Sequence, residues 1–169
     1  FAYAMIPLLR GLKLNEKEEE EFLVRHLQMF NTQPYLSTPL IGAILRLEQD
    51  RPQGGDASSI MMVKHSLMGP YAAICDTFFW GALRPCAGIF AVAAAGLGWI
   101  LAPLAFVFVY LPAVFWVRAR GFLDGYRRGK QGIEFVRKMN LPQIAVRVQW
   151  LSLAILAAFG VLILRIDYE

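Results

Sequence analysis

The sequence has 169 residues, 57% of them apolar and 18% charged, where an ordinary soluble domain carries roughly 25% charged residues. A mean hydropathy of +0.45 excludes a disordered chain, which is poor in apolar and aromatic residues. Two cysteines exclude a disulfide scaffold and a four-cysteine zinc site. The net charge of +4 is unevenly placed: −1 over 1–65, zero over 66–117, +6 over 118–147 and −1 over 148–169. One short basic segment between two apolar stretches argues against nucleic-acid binding, where basic residues spread along a face. It fits the cytoplasmic loop of a membrane protein.

Phe1 to Leu9 is apolar, but too short for a span and without the basic flank of a signal peptide. It reads as the end of an apolar helix whose beginning is not in the sequence. Residues 15–30 read as an amphipathic helix. Asn15 is placed to cap it, Glu18 to complete a capping box, and the acidic run Glu18 to Glu21 suits the positive end of the helix dipole. Asn31-Thr32-Gln33-Pro34 stops that helix. A second helix is expected from Thr38, with Pro39 at its first position, to about Gln49. Pro52 to Gly55 reads as a loop, and a third helix, capped by Asp56, is expected to end at Gly69-Pro70.

Between Pro70 and Pro85 lie 14 residues, about 20 Å of helix against a hydrocarbon core of ~30 Å. That length predicts a re-entrant or half-spanning segment. Residues 85–117 form 33 positions without a charge, with a break expected near Gly96 to Pro103 and a span ending at Val117. Gly121, Gly125 and Gly129 recur every four residues: either they line one helix face and admit a close backbone, or the segment is a flexible loop. Val148 to Leu164 is uncharged over 17 residues, the lower limit for a span. The predicted fold class is an all-α integral membrane protein with amphipathic helices, a re-entrant segment and two or three membrane-spanning helices. The expected divisions are 1–65 amphipathic, 66–117 membrane-embedded, 118–147 basic and cytoplasmic, and 148–169 a C-terminal span with Arg165 to Glu169 outside.

Asp76 is the candidate of most interest, because a carboxylate at the centre of a membrane helix costs about 2.5–3.5 kcal/mol and marks a cavity or a substrate path. The plainer alternatives are an interfacial Asp or one paired with Arg84, eight residues on. Asn31, Thr32 and Gln33 offer the donors and acceptors that sugar hydroxyls need; Asn31 as a helix-end cap is the plainer reading. Phe78, Phe79 and Trp80 point in different directions on a helix, leaving one to stack on a ligand or all to pack. His26 and His65 lack metal-ligand spacing, and Cys75 and Cys86 read as buried thiols. No nucleotide-binding, nucleophile-elbow or metalloprotease motif is present.

Four strings together resemble one family: FAYAMIP (Phe1 to Pro7), RHLQMFNTQPYLSTPLIG (Arg25 to Gly42), LMGPYAAICDTFFWGALRP (Leu67 to Pro85) and RGFLDGYRRGKQGIEF (Arg120 to Phe135). The chain is similar over nearly its whole length to the IID component of the mannose/fructose/sorbose family of the bacterial sugar phosphotransferase system. The resemblance implies an inner-membrane subunit that pairs with a IIC subunit, in higher oligomers of IIC–IID pairs, to move a hexose across the bilayer. IIA and IIB relay phosphate, and IIB phosphorylates the sugar on the cytoplasmic side. IID carries no phosphohistidine, so the resemblance implies no catalytic residue, cofactor or metal. Asn31, Thr32, Gly69 and Asp76 are the substrate-binding residues it points to. Departures are Ala73 and Cys75 where the family usually has glycines, and Gln33 where His is common. The family also has a helix before Phe1 and usually more chain after Glu169, so part of the sugar site is expected outside this sequence. The altered string around Asp76 also leaves open a non-transporting scaffold or sensor subunit, and an unrelated membrane enzyme with Asp76 as base stands as a remote third.

Overall fold

The computed structural model describes residues 2–12, 14–51 and 55–166. Phe1, the expected loop residues Pro52, Gln53 and Gly54, and the expected outer tail from Asp167 lie outside the described residues. Among the described residues the regular structure is helical: α1 (Ala2–Gly11), α2 (Glu16–Leu27), α3 (Ser37–Asp50), α4 (Ser58–Cys75), a π-helical segment (Asp76–Leu83), α5 (Arg84–Gly96), α6 (Ala102–Arg128), a 3-10 turn (Gly129–Ile133), α7 (Glu134–Lys138) and α8 (Leu141–Ile166).

Local chemistry sets most of the helix ends. The Glu18 amide donates to Asn15 Oδ1 at 2.9 Å and the Asn15 amide to Glu18 Oε2 at 3.1 Å, the reciprocal capping box expected for α2. The Ser58 amide donates to Asp56 Oδ1 at 2.8 Å and starts α4. The α5–α6 break falls at 97–101, where Gly98 takes φ +82, and α8 restarts at Leu141 after Asn140 at φ +48.

Two expectations change. Gly69-Pro70 does not end a helix, and the segment between Pro70 and Pro85 is no separate re-entrant element. Ser58–Gly96 is one continuous helical run of 39 residues, with Pro70 inside α4 and Pro85 in the first turn of α5. Proline breaks a helix whose freed carbonyl can turn to water. In an apolar run, local π adjustment and neighbouring side chains satisfy the freed groups instead. The wider turns at Asp76–Leu83 are such an adjustment, and Gln149 Nε2 donates to the Gly81 carbonyl at 3.2 Å. The second change is that α6 does not stop at Val117 but runs on to Arg128.

The runs Ser58–Gly96, Ala102–Gly132 and Val136–Arg165 are each long and apolar enough to cross a membrane. The chain forms two compact units, Phe1–Ala73 with Trp116–Met139, and Ile74–Phe115 with Asn140–Glu169. In the first, Met5, Phe22, Leu36, Leu40, Ile44 and Ile60 are buried; a side chain such as Phe22 contributes about 1.5–3 kcal/mol by burial. In this unit α3 crosses the C-terminal part of α6 with almost no gap. A Cβ on Gly42 would collide with the Phe122 carbonyl and lie 2.8 Å from the Tyr126 amide nitrogen; one on Gly125 would collide with the Pro39 carbonyl and lie 3.0 Å from the Ala43 amide nitrogen. Of the two readings of the glycine series, the helical one holds through Gly121 and Gly125. Gly129 departs from it, taking φ +54 as α6 gives way to the 3-10 turn.

In the second unit, Cys75, Phe78, Phe79, Ala82, Cys86 and Ala87 are buried. The Phe79 ring meets the Tyr110 ring edge-on, with centroids 6.4 Å apart. α8 exposes Trp150, Leu151, Leu153, Leu156 and Leu164, an apolar surface suited to lipid or to another apolar helix.

Candidate functional site

The polar segment between α2 and α3 is held by its own turns. Backbone amides of Leu36 and Ser37 donate to the Gln33 carbonyl at 3.2 and 3.0 Å. The Ser37 hydroxyl donates to the Pro34 carbonyl at 2.8 Å. Asn31 is exposed and Thr32 half-buried. α2 ends at Leu27, with Gln28 as its C-cap, so Asn31 lies beyond the helix end and does not cap it. The Thr32 hydroxyl oxygen is buried and meets no hydrogen-bond partner among the described residues. A buried hydroxyl normally has a partner, and a ligand's hydroxyl would reach this one once the segment around it opens.

Behind that segment lies a charged cluster that the sequence reading did not single out. Arg25 Nε donates to Glu48 Oε1 at 2.7 Å and Nη2 to Oε2 at 3.0 Å. His26 Nε2 lies 2.8 Å from Oε1, and Arg51 Nε 3.5 Å from Oε2. The Lys64 ammonium donates to the carbonyls of Arg25 at 3.0 Å and Gln28 at 3.1 Å. Arg25, His26, Glu48 and Lys64 are all buried.

Burial raises the Glu48 pKa, but the hydrogen bonds from His26 and Arg25 and their charges outweigh it and bring it down to about 2. Burial holds His26 below its ordinary 6.5, against the pull of the Glu48 carboxylate. A neutral His26 beside an ionised Glu48 must carry its proton on Nε2 and donate it to the carboxylate. One signal for this cluster was in the sequence. Leu40, Ile44 and Glu48 recur every four residues on the buried face of α3, so a carboxylate stands where the apolar stripe predicts another aliphatic residue. His26, noted above only for lacking metal-ligand spacing, is part of a buried ionic network. His65 is exposed.

Gly69 is exposed on α4 with open space where a Cβ would stand. Asp76 is exposed and is the first residue of the π-helical segment, a distortion often found at functional sites. Arg84 stacks its guanidinium over the Trp80 ring, 4.5 Å from the centroid. Phe78 and Phe79 pack in the core while Trp80 is exposed. Of the three departures from the family pattern, Cys75 points into the core, Ala73 is exposed and Gln33 is half-buried. Asn31, Thr32 and Gly69 belong to the first unit and Asp76 to the second. No cluster of His, Cys, Asp and Glu suited to a metal occurs among the described residues.

These features define a multi-pass helical membrane protein with polar and acidic side chains among its candidate residues. Over residues 1–168 the chain matches the family described as the PTS system mannose/fructose/sorbose family IID component. It is 36% identical over 146 residues to the mannose-specific EIID component of Escherichia coli (strain K12), covering 83% of this chain and 50% of that protein. It is 31% identical over 167 residues to the sorbose-specific EIID component of Klebsiella pneumoniae, covering 98% of this chain and 60% of that protein. A solved cryo-EM structure of the mannose transporter ManYZ in complex with microcin E492 aligns with a TM-score of 0.65 at 31% identity, over 94% of this chain and 59% of that one. The chain belongs to the IID family of the bacterial phosphotransferase system, whose members are multi-pass proteins of the inner membrane. It spans about half the length of the mannose-specific relative it matches.

Proposed function

We propose that this chain acts as the IID membrane subunit of a phosphoenolpyruvate-dependent sugar phosphotransferase system. With a IIC subunit it translocates a mannose-type hexose, and IIB, recharged by IIA, phosphorylates the sugar at the cytoplasmic face. The chain itself supplies binding groups and a path, not a catalytic residue. The observation that carries this reading is the exposed Asn31 beside the buried, unpartnered Thr32 hydroxyl, in a chain of the IID family. Amide and hydroxyl groups recognise sugar hydroxyls without carrying charge into the membrane. Gly69 leaves an open helix surface and Asp76 adds a carboxylate; each is assigned to sugar binding within its own unit.

Residues 118–147 are assigned to the cytoplasmic side by the positive-inside rule. Arg46, Arg127, Arg128 and Lys130 line a cavity of about 440 Å³ there, a basic surface on the side where phosphate-bearing subunits arrive. A non-transporting scaffold or sensor subunit is the second reading. It draws on Ala73, which adds a methyl group to an exposed position; Cys75, being buried, adds nothing to that surface.

The test is hexose titration of the full-length protein purified with its IIC subunit, using mannose, fructose, sorbose and N-acetylated hexosamines. Saturable binding that Asn31→Ala or Asp76→Ala abolishes supports the transport reading. A stable complex that binds none of these sugars overturns it in favour of the scaffold.

A further inference from the structure

Lys64 is a fully buried cation on a membrane-spanning helix, and nothing above gives it a task. Such a charge persists only where hydrogen bonds hold it. Its ammonium donates to the carbonyls of Arg25 and Gln28, at the C-terminal end of α2. There the backbone acceptors have no partner within the helix, and the helix dipole leaves partial negative charge. Many helices satisfy these carbonyls locally, with a left-handed glycine just past the end. No glycine stands between Gln28 and Gln33, and Gln28 leaves the helix at φ −57, ψ 150. The cap of α2 therefore comes from α4, 36 residues away in sequence. Arg25 is gripped twice, at its carbonyl by Lys64 and at its guanidinium by Glu48.

We infer that Lys64 is a positioning residue: it ties the end of α2 to the long helix and so sets where the Asn31–Thr32 segment stands. The chain has only residues 29 and 30 between the clamped Gln28 carbonyl and Asn31, a tether of about 10 Å at full extension. Any motion of the long helix against α2 must break two charge-assisted hydrogen bonds or carry the segment with it. The inference rests on Asn31 and Thr32 being sugar contacts, and it adds the residue that places them.

The experiment uses the full-length protein purified with IIC, as wild type, Lys64→Gln, which keeps a neutral NH2 donor group, and Lys64→Met, which keeps only apolar bulk. Amide hydrogen exchange reads the segment and mannose titration reads the site. Exchange at 28–33 should accelerate about tenfold or more in Lys64→Met and less in Lys64→Gln, as for loss of charge-assisted hydrogen bonds, while α3 keeps its protection. Mannose affinity should fall about tenfold in the same order. Unchanged exchange at 28–33 in Lys64→Met overturns the inference. Faster exchange with wild-type mannose affinity overturns the link to the sugar, given an Asn31→Ala protein that binds poorly. If Asn31→Ala binds mannose as wild type does, the assignment of the site has failed instead, and exchange alone decides the role of Lys64. Should Lys64→Met fail to assemble, Lys64→Gln decides by the same two readouts.

Discussion

Arg25 and Glu48 meet through two parallel hydrogen bonds, 2.7 and 3.0 Å long, with both side chains buried. The two-pronged geometry is the one a planar guanidinium and a carboxylate favour. It fastens α2 to α3 across 23 residues of sequence, and His26 and Arg51 share the same carboxylate.

Glu48→Gln is expected to be strongly destabilising. It keeps the shape of the side chain but strands Arg25 without its counter-charge in a buried place, and breaking a buried pair this way costs about 3–5 kcal/mol. Arg25→Met should cost a similar amount, and the double variant clearly less than the sum, since the two changes remove one interaction. Thermal unfolding of the four proteins in detergent checks this; additive losses would show that the pair is not coupled.

Acid should loosen the same unit in two stages. His26 is held below its ordinary 6.5 by burial, so the unfolded chain takes up a proton before the folded one. Stability therefore falls as pH drops below 6.5. Glu48 sits at about 2 in the fold against an ordinary 4.5. Its contribution, about 3 kcal/mol by linkage, is fully present above 4.5 and lost as pH falls from 4.5 towards 2. The expected Tm profile slopes gently below 6.5 and steeply below 4.5. His26→Gln should flatten the gentle part and, because His26 helps hold the Glu48 carboxylate down, also shrink the steep part.

Much of the local structure was legible because its causes are local. The capping box at Asn15 and Glu18, the Asp56 cap and the break after Gly96 each depend on residues within a few positions. What was not legible depends on distant partners. Glu48 stands out of its apolar stripe, but Arg25 and His26 are brought to it only by packing. Gly42 looks like any helix glycine until the Phe122 carbonyl is seen against it. Pro70 and Pro85 misled for another reason: the rule that proline ends a helix assumes water at the break, and an apolar run supplies none. At the candidate site, Asn31 and Thr32 were read from their residue types. The burial of the Thr32 hydroxyl and the Lys64 clamp on α2 arise from packing between segments far apart in sequence.

Gly125→Ala tests the contact between α3 and the end of α6. The added methyl meets backbone at Pro39 and Ala43, not a side chain that can swing away. Overpacking of this kind typically costs about 1–3 kcal/mol, occasionally more, and a backbone obstacle belongs at the upper end. Gly69→Ala, where a Cβ meets open space, is the matched control for fold and should leave thermal stability near wild type. Equal Tm values for the two variants would mean that the close approach does not exist in the folded protein.

The direction of the chain in the membrane follows from the charge pattern and can be tested without a sugar. Arg118, Arg120, Arg127, Arg128, Arg137 and Lys138 are exposed and gather at the end of α6 and in α7. The positive-inside rule puts this end in the cytoplasm, and α8 then leads outward from Leu141. Cys75 and Cys86 are buried, so single cysteines introduced at Arg127 and Lys138 can be read against a quiet background. A membrane-impermeant thiol reagent applied to intact cells from the outer face should leave both unlabelled, and should label both in inverted vesicles. Labelling from outside would reverse the topology. It would also move the basic cavity at Arg46 and Arg127 away from the cytoplasmic side.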